Sequence, residues 1–170
     1  VYQSRRTDDS APQVDFIPSN LRLASFELAM GTMMCREVLL KTCLEQYSSQ
    51  YDYCIIDNPP DIGLNVVNAL AITDEVIVPV KVDEDALEGL DIVTEQISDA
   101  KVFNPALKLA GVLITSYQNT DGEAAGVEWL GQKTDFNILG IIRYSKKVAE
   151  NTFMRKPIYE YSPCCGAAQG

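Results

Sequence analysis

Residues 51–63 read YDYCIIDNPPDIG, and the prediction of the fold starts from this stretch. Its centre, residues 53–56, is a short apolar run without alternation, a pattern typical of a strand buried on both faces of a parallel sheet. Asp57 follows the run, and Pro59 and Pro60 prevent both further strand pairing and an immediate helix. The stretch therefore predicts a buried strand that ends in a carboxylate on a stiff backbone.

The carboxylate of Asp57 has two interpretations. Open α/β sheets bind their ligands beyond the carboxyl ends of the strands, and a carboxylate placed there commonly holds Mg²⁺, directly or through water, in a phosphate-handling site. Alternatively, Asp57 only caps the following turn. The residues of this stretch leave both interpretations open.

The composition is that of one folded domain. A chain of 170 residues is long enough to bury a sizeable core, and 46% hydrophobic with 22% charged residues excludes general disorder. The formal net charge of −10 argues against a protein that coats nucleic acid with its whole surface, but it allows a local basic patch.

Several absences from the sequence point to a cytoplasmic protein without a membrane role. No run of about 18 apolar residues and no secretory leader are recognised, since the sequence opens VYQSRRTDDS. The five cysteines are expected to be free thiols, because an odd number leaves one unpaired. Cys164 and Cys165 are adjacent, but without histidine or C-x-x-C spacing we expect no zinc site.

Strand-like apolar runs alternate with helical patterns along the chain, which predicts βαβ units, a mostly parallel sheet and flanking helices. We expect a loose terminus over residues 1–12 and one domain over 13–170. Strands are predicted at 14–18, 53–56, 75–80, 107–116 and 138–142, with a final extended segment at 157–159. Helices are predicted at 21–30, 36–47, 64–72, 86–100, 123–132 and 148–154.

Residues 51–70, YDYCIIDNPPDIGLNVVNAL, and 73–91, TDEVIVPVKVDEDALEGLD, together resemble the ParA/Soj class of deviant-Walker P-loop ATPases of the MinD/ParA superfamily. Four further segments resemble the class in the same order. They are VDFIPSNLRLASFEL at 14–28, GVLITSYQNT at 111–120, ILGIIRYSKKVAE at 138–150 and KPIYEYSP at 156–163. The resemblance spans residues 14–168 and implies a P-loop NTPase-like, Rossmann-like fold of three layers.

The phosphate-binding part of the family is not recognised in this sequence. The family opens with a strand and a Gly-rich loop with lysines, whose backbone N–H groups cradle the phosphates. Residues 126–134, GVEWLGQKT, nearly match this loop, but Gln132 displaces the lysine and bulky side chains fill the segment, so we reject it. We therefore expect the carboxyl-terminal portion of such a protein, with a fold that is incomplete at its amino-terminal part.

The missing strand has a structural consequence that the resemblance implies. In the family it lies in the sheet beside the strand that ends at Asp57, so its absence would expose two strand edges. Either another copy or another chain fills the gap, or the fold is rearranged.

The resemblance also assigns roles around Asp57. It implies that Asp57 is the Walker B-type catalytic aspartate, which orders Mg²⁺ through water. Pro59, Pro60 and Gly63 shape the switch that senses the γ-phosphate of ATP. Asn68 either ties this segment to a neighbouring element or is a helix-surface amide.

Three residues at strand ends resemble the place where the family holds the nucleotide base. They are Thr115 and Ser116, which end one strand, and Arg143 after the last strand. The structural alternative for all three is hydrogen bonding at a strand end.

A basic cluster stands out near the end of the acidic chain. Five cations set against the carboxylate of Glu150 give it a local net charge of +4. Such a cluster can contact phosphates without reading bases, and the resemblance implies non-specific DNA binding when ATP drives dimerisation. The alternative is a solvated or salt-bridged face. The cluster consists of Arg143, Lys146, Lys147, Arg155 and Lys156.

The resemblance implies an ATP- and Mg²⁺-dependent ATPase that segregates plasmid or chromosome DNA. Its implied partners are a second copy of the chain, an adaptor of the ParB type and nucleoid DNA. Because the phosphate loop is not recognised, we expect no ATP hydrolysis by this chain alone. The alternative is a non-catalytic interaction module that pairs with intact relatives or an adaptor through the acidic helix near residues 83–95. A polysaccharide-regulating tyrosine kinase fits D-x-P-P at 57–60 but not the other segments.

Overall fold

The structure, a computed structural model, describes residues 2–3, 14–20, 22–59, 61, 63–132 and 136–169. Two short 3₁₀ turns, Arg36–Val38 and Glu45–Gln50, flank the second helix. The elements in chain order are β1 (Tyr2–Gln3), β2 (Asp15–Phe16), α1 (Arg22–Met30), α2 (Leu39–Leu44), α3 (Leu64–Leu70), β3 (Glu75–Lys81), α4 (Glu84–Ala100), β4 (Lys108–Tyr117), α5 (Asp121–Gln132), β5 (Ile138–Arg143), α6 (Lys146–Met154) and α7 (Ile158–Tyr161).

The main sheet has three parallel strands in the order β3-β4-β5. Parallel strands need a long crossover connection, and α4 and α5 supply the two that this sheet requires. The central strand β4 carries Val112 and Ile114, which are fully buried. The α/β class with a mostly parallel, helix-flanked sheet is thereby confirmed.

Two clusters of buried side chains hold the sheet and helices together. The first joins β3 and β4 to α4 and α5, and the second joins α3 to the carboxyl end of α4. Burial of this kind contributes roughly 1.5–3 kcal/mol for each large aliphatic side chain. The first cluster is Val80, Val82, Leu90, Val112, Ile114, Leu130 and Phe136, and the second is Leu70, Ile97, Ala100 and Leu107.

The buried strand predicted at residues 53–56 is wrong. These residues have no regular secondary structure, and Tyr53 is 90% and Ile55 93% exposed. A buried parallel strand needs a neighbour on each side to satisfy its backbone and cover its side chains, and none lies there among the described residues. The same gap leaves β3 at a sheet edge, where Ile77 is 56% exposed.

Three further differences concern the ends and the second helix. The extended segment predicted at 157–159 is wrong, because Pro157 instead precedes the short helix α7, whose Tyr161 N–H donates to the Pro157 carbonyl at 2.9 Å. Of the terminus predicted as loose, Tyr2–Gln3 pairs antiparallel with β2, while residues 1 and 4–12 lie outside the described residues. The helix predicted at 36–47 divides into α2 and its two flanking turns.

Among the described residues, no helix combines the length and apolar character that crossing a bilayer requires.

Candidate functional site

The carboxyl ends of the three parallel strands form the candidate site. Lys81 at the end of β3 lies opposite Thr115 of β4, and Tyr117 at the end of β4 lies opposite Arg143 of β5. The structure thus brings Thr115, Ser116 and Arg143 to one edge of the sheet, as their positions after two strands predict. This edge is where open α/β sheets place their ligands.

The backbone at this edge departs from regular strand geometry. Ser116 has a φ of +55°, in the left-handed region that residues other than glycine seldom adopt, and the register between β4 and β5 shifts between Ile114 and Tyr117. The Thr115 hydroxyl donates to the Val80 carbonyl at 3.3 Å. Thr115 therefore makes the hydrogen bond that the strand-end alternative describes, and Ser116 occupies an irregular position next to it.

The loop after β4 is ordered by Glu123. One carboxylate oxygen of Glu123 accepts from the Gln118 N–H at 3.0 Å, the Thr120 N–H at 3.1 Å and the Thr120 hydroxyl at 3.1 Å. The Thr120 hydroxyl accepts in turn from the Glu123 N–H at 3.3 Å, which completes a capping box for α5.

These hydrogen bonds, the Thr120 N–H foremost, hold the pKa of Glu123 below its usual value, and the charge of Lys81 adds to the effect. Sequence reasoning missed this role of Glu123. The signal was present as T-x-x-E at residues 120–123, directly before a helix.

Asp57 lies outside the sheet that carries the other predicted nucleotide-binding residues. It is exposed on an irregular segment, next to Asn58, whose side-chain amide donates to the Ile56 carbonyl at 3.3 Å. A tight turn follows, in which the Asp61 N–H donates to the Pro59 carbonyl at 2.9 Å. The predicted site residue Pro60 lies outside the described residues.

The groups near Asp57 bear on the predicted magnesium site. Mg²⁺ is bound through oxygen ligands in an octahedral arrangement, usually with one or two carboxylates and phosphate oxygens. No group of three or more His, Cys, Asp or Glu side chains that could hold a metal ion occurs in the described part of the chain. All five cysteines are free thiols, as the sequence predicts.

The helix after the switch segment, which we define as residues 57–63, is fixed to α1 by a carboxylate. Gly63 precedes α3, and its carbonyl accepts from the Val66 N–H at 3.0 Å. The Glu27 carboxylate occupies the position that a Cβ on Gly63 would take, and it also accepts from the Asn65 side-chain amide at 3.1 Å. Gly63 is thus needed here because of the approach of Glu27.

The side chain of Asn68 ties α3 to the turn and helix near residue 40. It is 4% exposed, and its amide donates to the Arg36 carbonyl at 2.7 Å and the Leu64 carbonyl at 2.9 Å. Its oxygen accepts from the Leu40 N–H at 3.0 Å. Of the two interpretations of Asn68, the structure shows the one in which its side chain ties this segment to a neighbouring element.

The five basic residues come together around one helix. Arg143 ends β5, Lys146 and Lys147 begin α6, and Arg155 and Lys156 follow its end. Of these five residues, Lys147 forms an ion pair with a described residue, because its ammonium nitrogen lies 2.7 Å from a carboxylate oxygen of Glu150. The salt-bridged alternative therefore applies to Lys147, and all five residues, Lys147 included, are exposed.

Comparison with known proteins gives consistent similarities. The AAA domain profile AAA_31 matches residues 3–109. The sporulation initiation inhibitor protein Soj of Bacillus subtilis strain 168 is 41% identical over 103 residues, which cover 60% of this chain and 41% of Soj.

Two solved structures resemble the chain along most of its length. A plasmid partition protein of Borrelia burgdorferi B31 bound to AMPPNP matches with a TM-score of 0.71 and 27% identity, over 85% of this chain and 60% of that one. A cobyrinic acid a,c-diamide synthase of Mycobacterium smegmatis with bound ADP and magnesium matches with a TM-score of 0.70 and 27% identity, over 86% and 62%. The chain spans about one third to three fifths of the length of the curated relatives that it matches.

Proposed function

The chain belongs to the AAA domain family AAA_31 and, within it, to the ParA/Soj class of P-loop ATPases, and from this membership we propose that it supplies the switch and the base-side residues of a partition ATPase that segregates DNA. The observation that carries the proposal is the meeting of Thr115, Ser116 and Arg143 at the carboxyl edge of the parallel sheet. Ligands bind at this edge in open α/β folds.

ATP and Mg²⁺ are the proposed ligands. The similar proteins from Mycobacterium smegmatis and Borrelia burgdorferi contain ADP with magnesium and AMPPNP, respectively. In this chain Thr115, Ser116 and Arg143 would contact the base side of the nucleotide. Asp57 would order Mg²⁺ through water, and Pro59, Pro60 and Gly63 would shape the segment that responds to the γ-phosphate.

This chain by itself is not proposed to hydrolyse ATP. Phosphoryl transfer depends on cations and backbone N–H groups that stabilise the charge on the transferred phosphate. The described residues provide one exposed carboxylate at Asp57 and no cluster of metal-binding side chains. We propose that the phosphate-binding loop of the family, which is not recognised in this sequence, is needed for hydrolysis.

Calorimetric titration of the chain with ATP and Mg²⁺ tests this assignment. For the chain alone, we expect the heat of titration to be too small to fit a binding curve. We expect the same result for Asp57→Ala. Micromolar binding that is lost in Asp57→Ala would contradict the inactive assignment, because Asp57 would then lie in a complete site. Binding that is lost in Thr115→Ala but kept in Asp57→Ala would support the base-side site and contradict the role of Asp57.

Non-specific DNA binding through the basic cluster is the second part of the proposal. Its cations lie at one end of β5 and at both ends of α6, in a chain whose net charge is otherwise negative. Such binding should weaken steeply with salt, because each phosphate contact releases counterions. A second copy of the chain and an adaptor of the ParB type are the proposed protein partners.

An interaction module is the second candidate function, and one observation favours it. Tyr53 and Ile55 are exposed, largely apolar side chains on a segment without regular secondary structure, and β3 has no further strand beside Ile77 among the described residues. Open strand edges readily pair with another chain. Capture of a full-length relative by the immobilised chain, lost in Ile55→Ser, would support this candidate, and a cooperative monomer in sedimentation that captures nothing would contradict it.

A further inference from the structure

The carboxyl-terminal residues of the chain lie against the basic cluster. We call residues 158–168, which include α7 and the turns after it, the terminal cover. Within it, the Cys165 N–H donates to the Ser162 carbonyl at 3.1 Å and the Ala168 N–H to the Cys165 carbonyl at 2.9 Å. These turns direct the chain back towards β5 and α6.

One contact of the cover involves Lys147 through a shared carboxylate. Glu150 accepts from the Lys147 ammonium at 2.7 Å and from the Tyr161 hydroxyl at 2.9 Å, both at the same oxygen. The Lys147 ammonium also lies 5.8 Å from the centre of the Tyr161 ring, within range of a cation–π contact. Lys147 is therefore held by two groups, one of which belongs to the cover.

The electrostatics of this triad agree with its geometry. The hydrogen bond that the Lys147 ammonium donates to the Glu150 carboxylate raises the pKa of Lys147 and lowers the pKa of Glu150. The pKa of Tyr161 is raised, chiefly because its hydroxyl donates to the Glu150 carboxylate. Together these shifts favour the state in which Lys147 is positively charged, Glu150 is ionised and Tyr161 keeps its proton.

A second contact of the cover involves Arg143. A Cβ placed on Gly166 would lie 3.3 Å from the Cβ and 3.5 Å from the Cδ of Arg143. The backbone of the cover thus lies along the aliphatic stem of Arg143 at van der Waals distance.

From these contacts we propose that the terminal cover is an autoinhibitory element, which withholds Lys147 and restrains Arg143 until a phosphate backbone displaces Glu150 and Tyr161. The proposal rests on the DNA-binding function proposed above. Exposed ion pairs are weak, so a polyanion can exchange with Glu150, and the cover reduces affinity without abolishing binding. Lys146, Arg155 and Lys156 would make the first contacts, with about 13 Å of helix between the two ends of α6.

The test is the affinity of the whole chain for a short, fluorescently labelled DNA duplex of mixed sequence, measured over a series of salt concentrations. Glu150→Gln keeps an oxygen for the Tyr161 hydroxyl but removes the negative charge. We expect an affinity about threefold to tenfold higher at low salt, and a slope of log K against log salt that is steeper by about 0.9, the value for one more phosphate contact.

The matched control is Glu95→Gln, which makes the same change in net charge on an exposed position of α4. We expect the control to bind as the unchanged chain does. An equal rise in both variants would overturn the proposal, because the effect would then be one of net charge. Equal affinity and slope for Glu150→Gln and the unchanged chain would also overturn it, while DNA binding itself would stand.

Tyr161→Phe provides the second variant. It keeps the ring beside Lys147 and removes the hydroxyl bound to Glu150, so an affinity rise of about twofold supports release of the cover. If the DNA affinity of Tyr161→Phe does not rise, the role of the cover is overturned. The higher affinity of Glu150→Gln would then come from the Lys147–Glu150 ion pair alone. If neither the chain nor Glu150→Gln binds at low salt, both the DNA-binding function and its inhibition fail.

Discussion

Asn68 and Leu40 are joined by a hydrogen bond of 3.0 Å from the Leu40 backbone N–H to the Asn68 side-chain oxygen, across 28 residues of sequence. The same amide donates to the Arg36 carbonyl, so one side chain fixes both sides of the turn that begins α2. Because α3 follows the switch segment directly, the position of that segment depends on this buried amide. Asn68 is therefore a structural tie between the switch and the helices before it.

Replacement of Asn68 should destabilise the fold strongly. Asn68→Ala removes the partner that its side chain gives to the Leu40 N–H and the Arg36 carbonyl in a half-buried place, which costs about 2–3 kcal/mol. Urea unfolding would show this as a lower midpoint with an unchanged slope. Asn58→Ala is the control, because that side-chain amide is exposed. If Asn68→Ala lowers the unfolding free energy no more than the control does, Asn68 is not a structural tie.

Gly63→Ala should disturb the contact between α1 and α3. The new methyl group takes the place of the Glu27 carboxylate, which must then leave Asn65, at a cost of about 1 kcal/mol. If the collision is the cause, the cost disappears when Gly63→Ala is made in a Glu27→Ala background. Additive losses in this double-mutant cycle of unfolding free energies would show that the two residues act separately.

Gly111→Ala should be one of the most damaging small substitutions in the sheet. Gly111 has a φ of +154°, and a Cβ there would overlap the Asn137 carbonyl oxygen that accepts from the Val112 N–H at 2.8 Å. We expect a loss of about 3 kcal/mol or more in unfolding free energy. Gly122→Ala in α5 is the control, since nothing lies within 4 Å of its Cβ, and should stabilise by about 0.5–1 kcal/mol.

The terminal cover should detach from α6 in acid. The pKa of Glu150 is lowered from its ordinary value of 4.5, mainly by the Lys147 hydrogen bond and then by that of Tyr161. A group whose folded pKa is depressed stabilises above its unfolded pKa, and the contribution is lost as the pH falls through the folded value. NMR shifts of the Tyr161 ring should therefore change below pH 4.5, and Glu150→Gln should remove that step.

Ile55→Ser should leave the isolated chain as stable as before. Ile55 is 93% exposed, and substitutions at such positions change the unfolding free energy by about 0.5 kcal/mol or less. Ile114→Ala, at a fully buried position of β4, should in contrast cost about 2–5 kcal/mol. A large loss for Ile55→Ser, measured by thermal unfolding, would show that residues 53–56 are buried in solution, for instance by association.

Local patterns predicted most of the elements well. The apolar runs at β3, β4 and β5 lie within a residue or two of their predicted limits, because a strand buried under helices requires such runs. The same pattern failed at residues 53–56. An apolar run shows that a segment can be buried, but whether it is buried depends on neighbouring strands, which the described residues do not provide.

In the candidate site, too, some features could be predicted from the sequence and others could not. Thr115, Ser116 and Arg143 were predicted to lie at strand ends, and the structure places them at one edge of the parallel sheet. The contacts of Glu27 with Gly63 and Asn65, and of Gly166 with Arg143, join residues that are far apart in the chain, and no local pattern predicts them. The T-x-x-E capping box at residues 120–123 is a local pattern and could have been recognised from the sequence.

The α/β class, the family and the parallel strands could all be predicted from the sequence, since they follow from periodicity and from segments that keep their order along the chain. Only the tertiary structure decided that Tyr53 and Ile55 are exposed, that Asn68 is a buried tie, and that the terminal cover lies on Lys147 and Arg143. The physical reason is that burial and hydrogen-bond partners at such positions depend on which distant residues share the same space.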